Sequence, residues 1–193
     1  MAQDRRFEQA RAISLDFDGV LSTLILGRRW VKTHARRPPS PLLSLAGRAL
    51  RTGLAVLTQR WRKPYPHAKD GLQRLRSSGR TLYLLTSRTA ERIAPADRWL
   101  DRQGCHGLFE RLLYNAGGED ADTFKAKMLR EHPIDVHVDD DPETVAYLAG
   151  LFPDKLFIHL DHRPGRGPRG ANIVAVQDWP ELAGLFGVKP TPF

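Results

Sequence analysis

Six short apolar runs separated by segments of helical spacing set the architecture open to this chain. The runs are Ala12 to Asp16, Thr81 to Leu85, Leu112 to Tyr114, Val136 to Val138, Leu156 to Leu160 and Ile173 to Val176. Runs this short and this apolar read as strands of a buried sheet. Between them, His67 to Ser77 places Leu72 and Leu75 on one face. Ala90 to Arg102 carries Ile93, Ala96, Trp99 and Leu100 at helical intervals. Pro95 must then sit near that helix's start or kink it. Thr123 to Glu131 and Glu143 to Leu151 continue the alternation, and Gly79, Gly104 and Gly150 fall where helices should stop. Strands alternating with helices predict an α/β fold: a three-layer sandwich with a mostly parallel central sheet. Ligands of such sheets sit at the carboxyl ends of the strands. Asp16, Thr86 and Asp139 all occupy such ends.

The length of 193 residues suits a single domain with room for a modest insert. An apolar fraction of 41% and a charged fraction of 27% are those of a soluble globular protein. The one cysteine, Cys105, excludes an intramolecular disulfide. No run approaches the roughly 18 apolar residues that span a bilayer. The first residues, Met1 to Arg6, lack the apolar core of a leader peptide. The expected location is therefore cytoplasmic. A net charge of +8 favours anionic partners: phosphorylated metabolites, nucleic acid or an acidic membrane. No zinc finger, aromatic RNA-binding motif or helix-turn-helix supports the nucleic-acid choice.

One region breaks the rhythm. Residues 22–66 form an insert after the first strand, which contains the turn-prone Arg36-Arg37-Pro38-Pro39-Ser40-Pro41 followed by a helical stripe from Leu42 to Leu57. Trp30 and Trp61 flank it. The stripe can form a small helical cap or pack on the core, lie on an anionic membrane surface, or form a dimer contact.

Asp16 and Asp18 stand one residue apart at a strand end, and Gly19 gives the backbone freedom to leave the strand there. Asp139, Asp140 and Asp141 end another strand. Carboxylates gathered this densely repel one another unless a cation joins them, and Mg²⁺ prefers such oxygen ligands.

The run Leu15-Asp16-Phe17-Asp18-Gly19-Val20-Leu21 resembles the first motif of the haloacid dehalogenase superfamily. Leu82-Tyr83-Leu84-Leu85-Thr86 resembles its second motif, Phe124-Lys125 its third, and Val136-His137-Val138-Asp139-Asp140 its fourth. All occur in the family's order, on both sides of the insert. The resemblance implies a Rossmann-like domain that cleaves phosphomonoesters with Mg²⁺. It implies that Asp16 attacks phosphorus and forms an aspartyl-phosphate. Asp18 protonates the leaving oxygen and contacts metal through its backbone carbonyl. Thr86 donates to a phosphoryl oxygen, Lys125 offsets charge, and Asp139 or Asp140 holds the metal. An acid at position 18 fits phosphatase chemistry rather than dehalogenation.

Several positions have rivals. Ser87 competes with Thr86 as the phosphoryl donor, and Lys127 competes with Lys125. Asp141 precedes Pro142 and can cap a helix instead of binding metal. His159, Asp161 and His162 read as a polar loop rather than a metal pair, and Cys105 beside His106 as a helix-end loop. The basic run Arg163 to Arg169 is a solvated loop or a contact for an acidic substrate group. The alternative to turnover is a catalytically silent adaptor with the same fold, held at a membrane surface by the basic insert.

Overall fold

A computed structural model of the protein describes residues 5–23, 62–162, 165 and 167–188. Helix α1 (Arg5–Gln9) leads into β1 (Ala12–Leu15). After the insert come α2 (Ala68–Ser77), β2 (Thr81–Thr86), α3 (Ala90–Gln103), a 3-10 turn (His106–Leu108) and β3 (Arg111–Tyr114). The second half runs α4 (Ala121–Glu131), β4 (Val136–Asp139), α5 (Pro142–Leu151), β5 (Leu156–Leu160), β6 (Ile173–Val176) and α6 (Trp179–Leu185).

The strands form one six-stranded sheet in the order β3-β2-β1-β4-β5-β6. Every neighbouring pair is parallel. The order reverses at β1, which lies between β2 and β4. At such a switch point the two outgoing chains part and open a crevice at the carboxyl ends. Asp16 leaves β1 there and Asp139 ends β4 beside it.

The period-two alternation of a strand explains the two apolar layers. On β2, Leu82 and Leu84 face a core with Ile13, Leu15, Leu72, Leu75, Trp99 and Trp179. Tyr83 and Leu85 face the other way, onto Phe124, Leu129, Leu148 and Phe157. Each large apolar side chain wholly buried this way contributes about 1.5–3 kcal/mol relative to exposure. The α/β expectation therefore holds, with helices on both faces of the sheet.

Short-range chemistry fixes the helix starts nearest the crevice. Asp120 caps α4 by accepting from the Asp122 and Thr123 amides at 3.2 Å. Asp141 caps α5, accepting from Glu143 N at 3.0 Å with Pro142 following. Gly104 ends α3 in the left-handed region at φ 64°. Gly150 does not end a helix: α5 runs through it to Leu151. Pro95 lies inside α3 rather than in its first turn. The donor it lacks would have served only the carbonyl of Glu91, an exposed residue near the helix start, so the cost to the helix is small.

The described segments that end at Thr23 and begin at Arg62 lie side by side. Thr23 N donates to Lys63 O at 3.0 Å and Tyr65 N to Leu21 O at 2.9 Å. The stripe from Leu42 to Leu57 and both flanking tryptophans lie outside the described residues, as do Arg163 and Arg166 of the basic run. Among the described residues no helix is long and apolar enough to cross a membrane.

Candidate active site

Asp16 is the first residue beyond β1, and its amide still donates to Val138 O at 2.9 Å, so β4 continues to hold it. Its side chain is buried. Ligating oxygens of Asp16, Asp139 and Asp140 all lie within 4.8 Å of one another. Three buried carboxylates this close cannot all be ionised without compensating positive charge.

Lys125 supplies part of that charge. It projects from the buried face of α4, with Nζ 2.5 Å from Asp139 Oδ2 and 3.3 Å from Asp16 Oδ1. The nearer carboxylate gains more. Burial pushes the Asp139 carboxyl up, but Lys125 and His137 outweigh it and hold the group well below the usual range. For Asp16, burial dominates and pushes its pKa up to about 7, with Lys125 opposing and the charges of Asp139 and Asp18 adding to the rise. Beyond the Lys125 ammonium at 3.3 Å, buried Asp16 Oδ1 has no hydrogen-bond donor among the described residues. A divalent cation among Asp16, Asp139 and Asp140 would satisfy that oxygen. The oxygen-only donor set also suits Mg²⁺.

Asp140 reaches the cluster because residue 19 is glycine. Gly19 has φ +79°, and a Cβ there would come within 2.2 Å of the Asp140 carboxyl. The turn after β1 thus needs glycine both for its backbone and for the space. Asp141 points elsewhere, to its capping role on α5.

Asp18 is not part of this cluster. Arg88 Nε donates to its Oδ2 at 3.0 Å and Arg88 Nη2 to its Oδ1 at 2.8 Å. Arg62 Nη1 also donates to Oδ1. Burial raises the Asp18 pKa, but Arg88 and then Arg62 outweigh it and keep the carboxyl well below its usual range. Arg88 lies over the Phe17 ring, 4.2 Å from its centroid. The two carboxylates of the Asp-Phe-Asp turn therefore stand in opposite surroundings, one inclined to hold a proton and the other to lose it.

Thr86 ends β2 and is buried, with Ser87 half-buried beside it. Lys127 is exposed and pairs with Glu119 at 3.3 Å, so Lys125 is the lysine in the crevice. His159 and His162 do not converge as ligands. His159 Nε2 lies 3.2 Å from Asp140 O, while His162 Nε2 lies 2.7 Å from Gly19 O and its ring stacks on Tyr65.

Three participants escaped the sequence reading. Arg62 and Arg88 are two of 30 lysines and arginines, and their positions follow no periodic signal. For Arg88 the available clue was its place two residues beyond a strand end. The third is His137, wholly buried beneath the crevice. Its Nδ1 lies 2.8 Å from Ser14 Oγ and its Nε2 3.2 Å from Asp139 Oδ2. Burial lowers its pKa, so the ring is neutral. Ionised Asp139 can only accept, which puts the ring hydrogen on Nε2 and leaves Nδ1 to accept from Ser14. The clue was a polar residue in an otherwise apolar strand.

Known proteins share this arrangement of elements. No protein-family model matches the chain. A putative nucleotidase from Bacillus cereus is 28% identical over 123 residues; the match takes in 64% of this chain and 60% of that relative's length. A haloacid dehalogenase-like hydrolase from Streptococcus pneumoniae superposes with a TM-score of 0.66 at 14% identity, over 92% of this chain and 98% of that one. A HAD phosphatase from Thermococcus onnurineus gives 0.63 at 15% identity, over 93% and 99%. CbbY from Rhodobacter sphaeroides, solved with phosphate, gives 0.65 at 15% identity, over 90% and 96%. The chain has the fold of the haloacid dehalogenase-like hydrolases.

Proposed function

We propose that this protein is a Mg²⁺-dependent phosphohydrolase that cleaves a small phosphomonoester through an aspartyl-phosphate on Asp16. The observation that carries the reading is the convergence of Asp16, Asp139 and Asp140 at the sheet's switch point, with an Asp16 oxygen that has only the Lys125 ammonium beside it among the described residues. The phosphatase and nucleotidase relatives agree with it. Asp16, Asp139 and Asp140 would hold the metal, with the Asp18 backbone carbonyl as a further ligand. Bound there, the cation neutralises charge on the carboxylates and on the phosphoryl oxygens.

The chain's own groups divide the chemistry. An oxygen of ionised Asp16 attacks phosphorus, and the bond from phosphorus to the leaving oxygen breaks. Asp18, once it has left its arginines and taken a proton from solvent, gives that proton to the leaving oxygen. Water then attacks the acyl phosphate and loses a proton to Asp18, which frees phosphate and restores Asp16. Lys125 steadies charge on Asp16 and on the transferred group. Thr86, with Ser87 as the neighbouring donor, orients the phosphoryl oxygens. His137 positions Asp139 from below.

One observation favours the rival reading of a silent binding protein: both oxygens of Asp18 are occupied by arginines. Rapid acid quench during turnover, followed by peptide mass analysis, separates the two. A phosphoryl group on the peptide containing Asp16 supports catalysis. Release of phosphate with no such adduct and full activity in Asp16→Asn would remove Asp16 as nucleophile.

A further inference from the structure

The Asp18 carboxylate is embedded in positive charge. Arg88 holds it as a two-pronged fork and Arg62 adds a third donor. Arg92, in the first turn of α3, adds its own charge near Arg62. One carboxylate thus faces two guanidiniums in contact.

These arginines are built into the domain. Arg88 is 6% exposed and Arg62 16%. The Arg62 backbone is pinned through its carbonyl, which accepts from Trp99 Nε1 at 2.9 Å. Arg62 Nε is buried with no hydrogen-bond partner among the described residues. Arg62 therefore keeps a buried donor that Asp18 does not use.

The position matters. Asp18 is the group that must reach the leaving oxygen, and it cannot reach while both its oxygens stay in the fork. If it moved away with nothing in its place, both guanidiniums would lose a charged partner in a largely buried setting, which is costly. A fork that accepts the planar carboxylate of Asp18 equally accepts two oxygens of another carboxylate or of a phosphate.

We propose that Arg62 and Arg88 form a binding site for a second anionic group, carried on the leaving-group side of the substrate, and that Asp18 fills this site until that group arrives. The inference rests on the phosphohydrolase reading and names its substrate class: phosphomonoesters whose alcohol part bears a carboxylate or a second phosphate. Arrival of the anion takes over the two arginines and frees the Asp18 side chain to turn towards the leaving oxygen.

The test uses non-hydrolysable probes with the Mg²⁺-loaded full chain: ethylphosphonate, 3-phosphonopropionate and ethane-1,2-bisphosphonate, measured by calorimetry. Wild type should bind at least one of the two doubly functional probes about tenfold or more tightly than ethylphosphonate, since charged hydrogen bonds of this kind carry that much. Whichever of the two is preferred distinguishes carboxylate from phosphate. Arg62→Gln should bring the ratio towards one, Arg62→Lys should restore part of it, and Arg74→Gln on the outer face of α2 should keep it. Equal affinity for all three probes in wild type overturns the proposal, whether or not any variant folds. So does an Arg62→Gln protein that folds and keeps the ratio. If no ester is hydrolysed, the phosphohydrolase reading fails separately, while the binding ratio still decides whether the anion site exists.

Discussion

Lys125 Nζ lies 2.5 Å from Asp139 Oδ2, and the two side chains are 5% and 1% exposed. A buried pair this close holds both partners ionised: burial alone would discharge Lys125, but Asp139 and Asp16 keep its ammonium above the ordinary range. Lys125→Met removes the cation and leaves Asp139 in a dry acidic cluster. Stability in EDTA should fall by roughly 3–5 kcal/mol, read from urea unfolding. Phosphate release should fall by about a hundredfold or more. Unchanged stability in EDTA would show that the lysine is not needed to balance the carboxylates.

Asp16 gives a pH dependence of definite sign. Its pKa is raised from an ordinary 3.8 to about 7 in the folded protein. Between those values the folded chain keeps a proton that the unfolded chain has lost. The resulting stabilisation is complete below the unfolded value and is lost as pH rises to about 7 in metal-free protein. A bound cation favours the ionised carboxylate, so stabilisation by Mg²⁺ should grow over the same window. Melting curves with EDTA and with excess Mg²⁺, at about pH 5.5 and about pH 8, measure this directly. An equal Mg²⁺ increment at both values would place the raised carboxyl outside the metal site.

His137 should act through Asp139 rather than on substrate. His137→Ala leaves Asp139 without its lower donor and Ser14 without its acceptor. The Mg²⁺ concentration for half-maximal activity should rise about 10- to 100-fold, as for other groups that orient metal ligands. Ser14→Ala should shift it in the same direction by less. A loss of maximal rate with no change in Mg²⁺ requirement would contradict the positioning role.

Gly19→Ala places a methyl group against the Asp140 carboxyl and forces a left-handed backbone on alanine. The backbone strain alone costs about 1–3 kcal/mol. Displacement of Asp140 should weaken Mg²⁺ binding as well, measured by calorimetry. Full Mg²⁺ affinity in this variant would remove Asp140 from the ligand set.

The architecture was legible because buried parallel strands announce themselves as apolar runs, and the helices between them keep their spacing. α1 and α6 were not read, each being too short to show periodicity. The start of α6 did carry a signal in Asp178-Trp179-Pro180-Glu181, whose Asp178 caps the helix at 2.8 Å while the Glu181 carboxylate accepts from Gln177 N at 2.7 Å. Asp16, Lys125, Asp139 and Asp140 came from strand ends and from family motifs, both of which are local in sequence. Arg62 and Arg88 were invisible because their partnership with Asp18 spans 44 and 70 residues. Only the sheet's crossover, and the chain's return beside Thr23, bring them together.

The most direct test is phosphate release from a panel of phosphomonoesters, with Mg²⁺ and with EDTA, using wild type and Asp16→Asn side by side. The prediction is release that requires Mg²⁺, disappears in a folded Asp16→Asn protein, and favours esters with an anionic leaving group. Release that persists in EDTA or in Asp16→Asn, or no release from any ester, would contradict a metal-dependent phosphohydrolase built on Asp16.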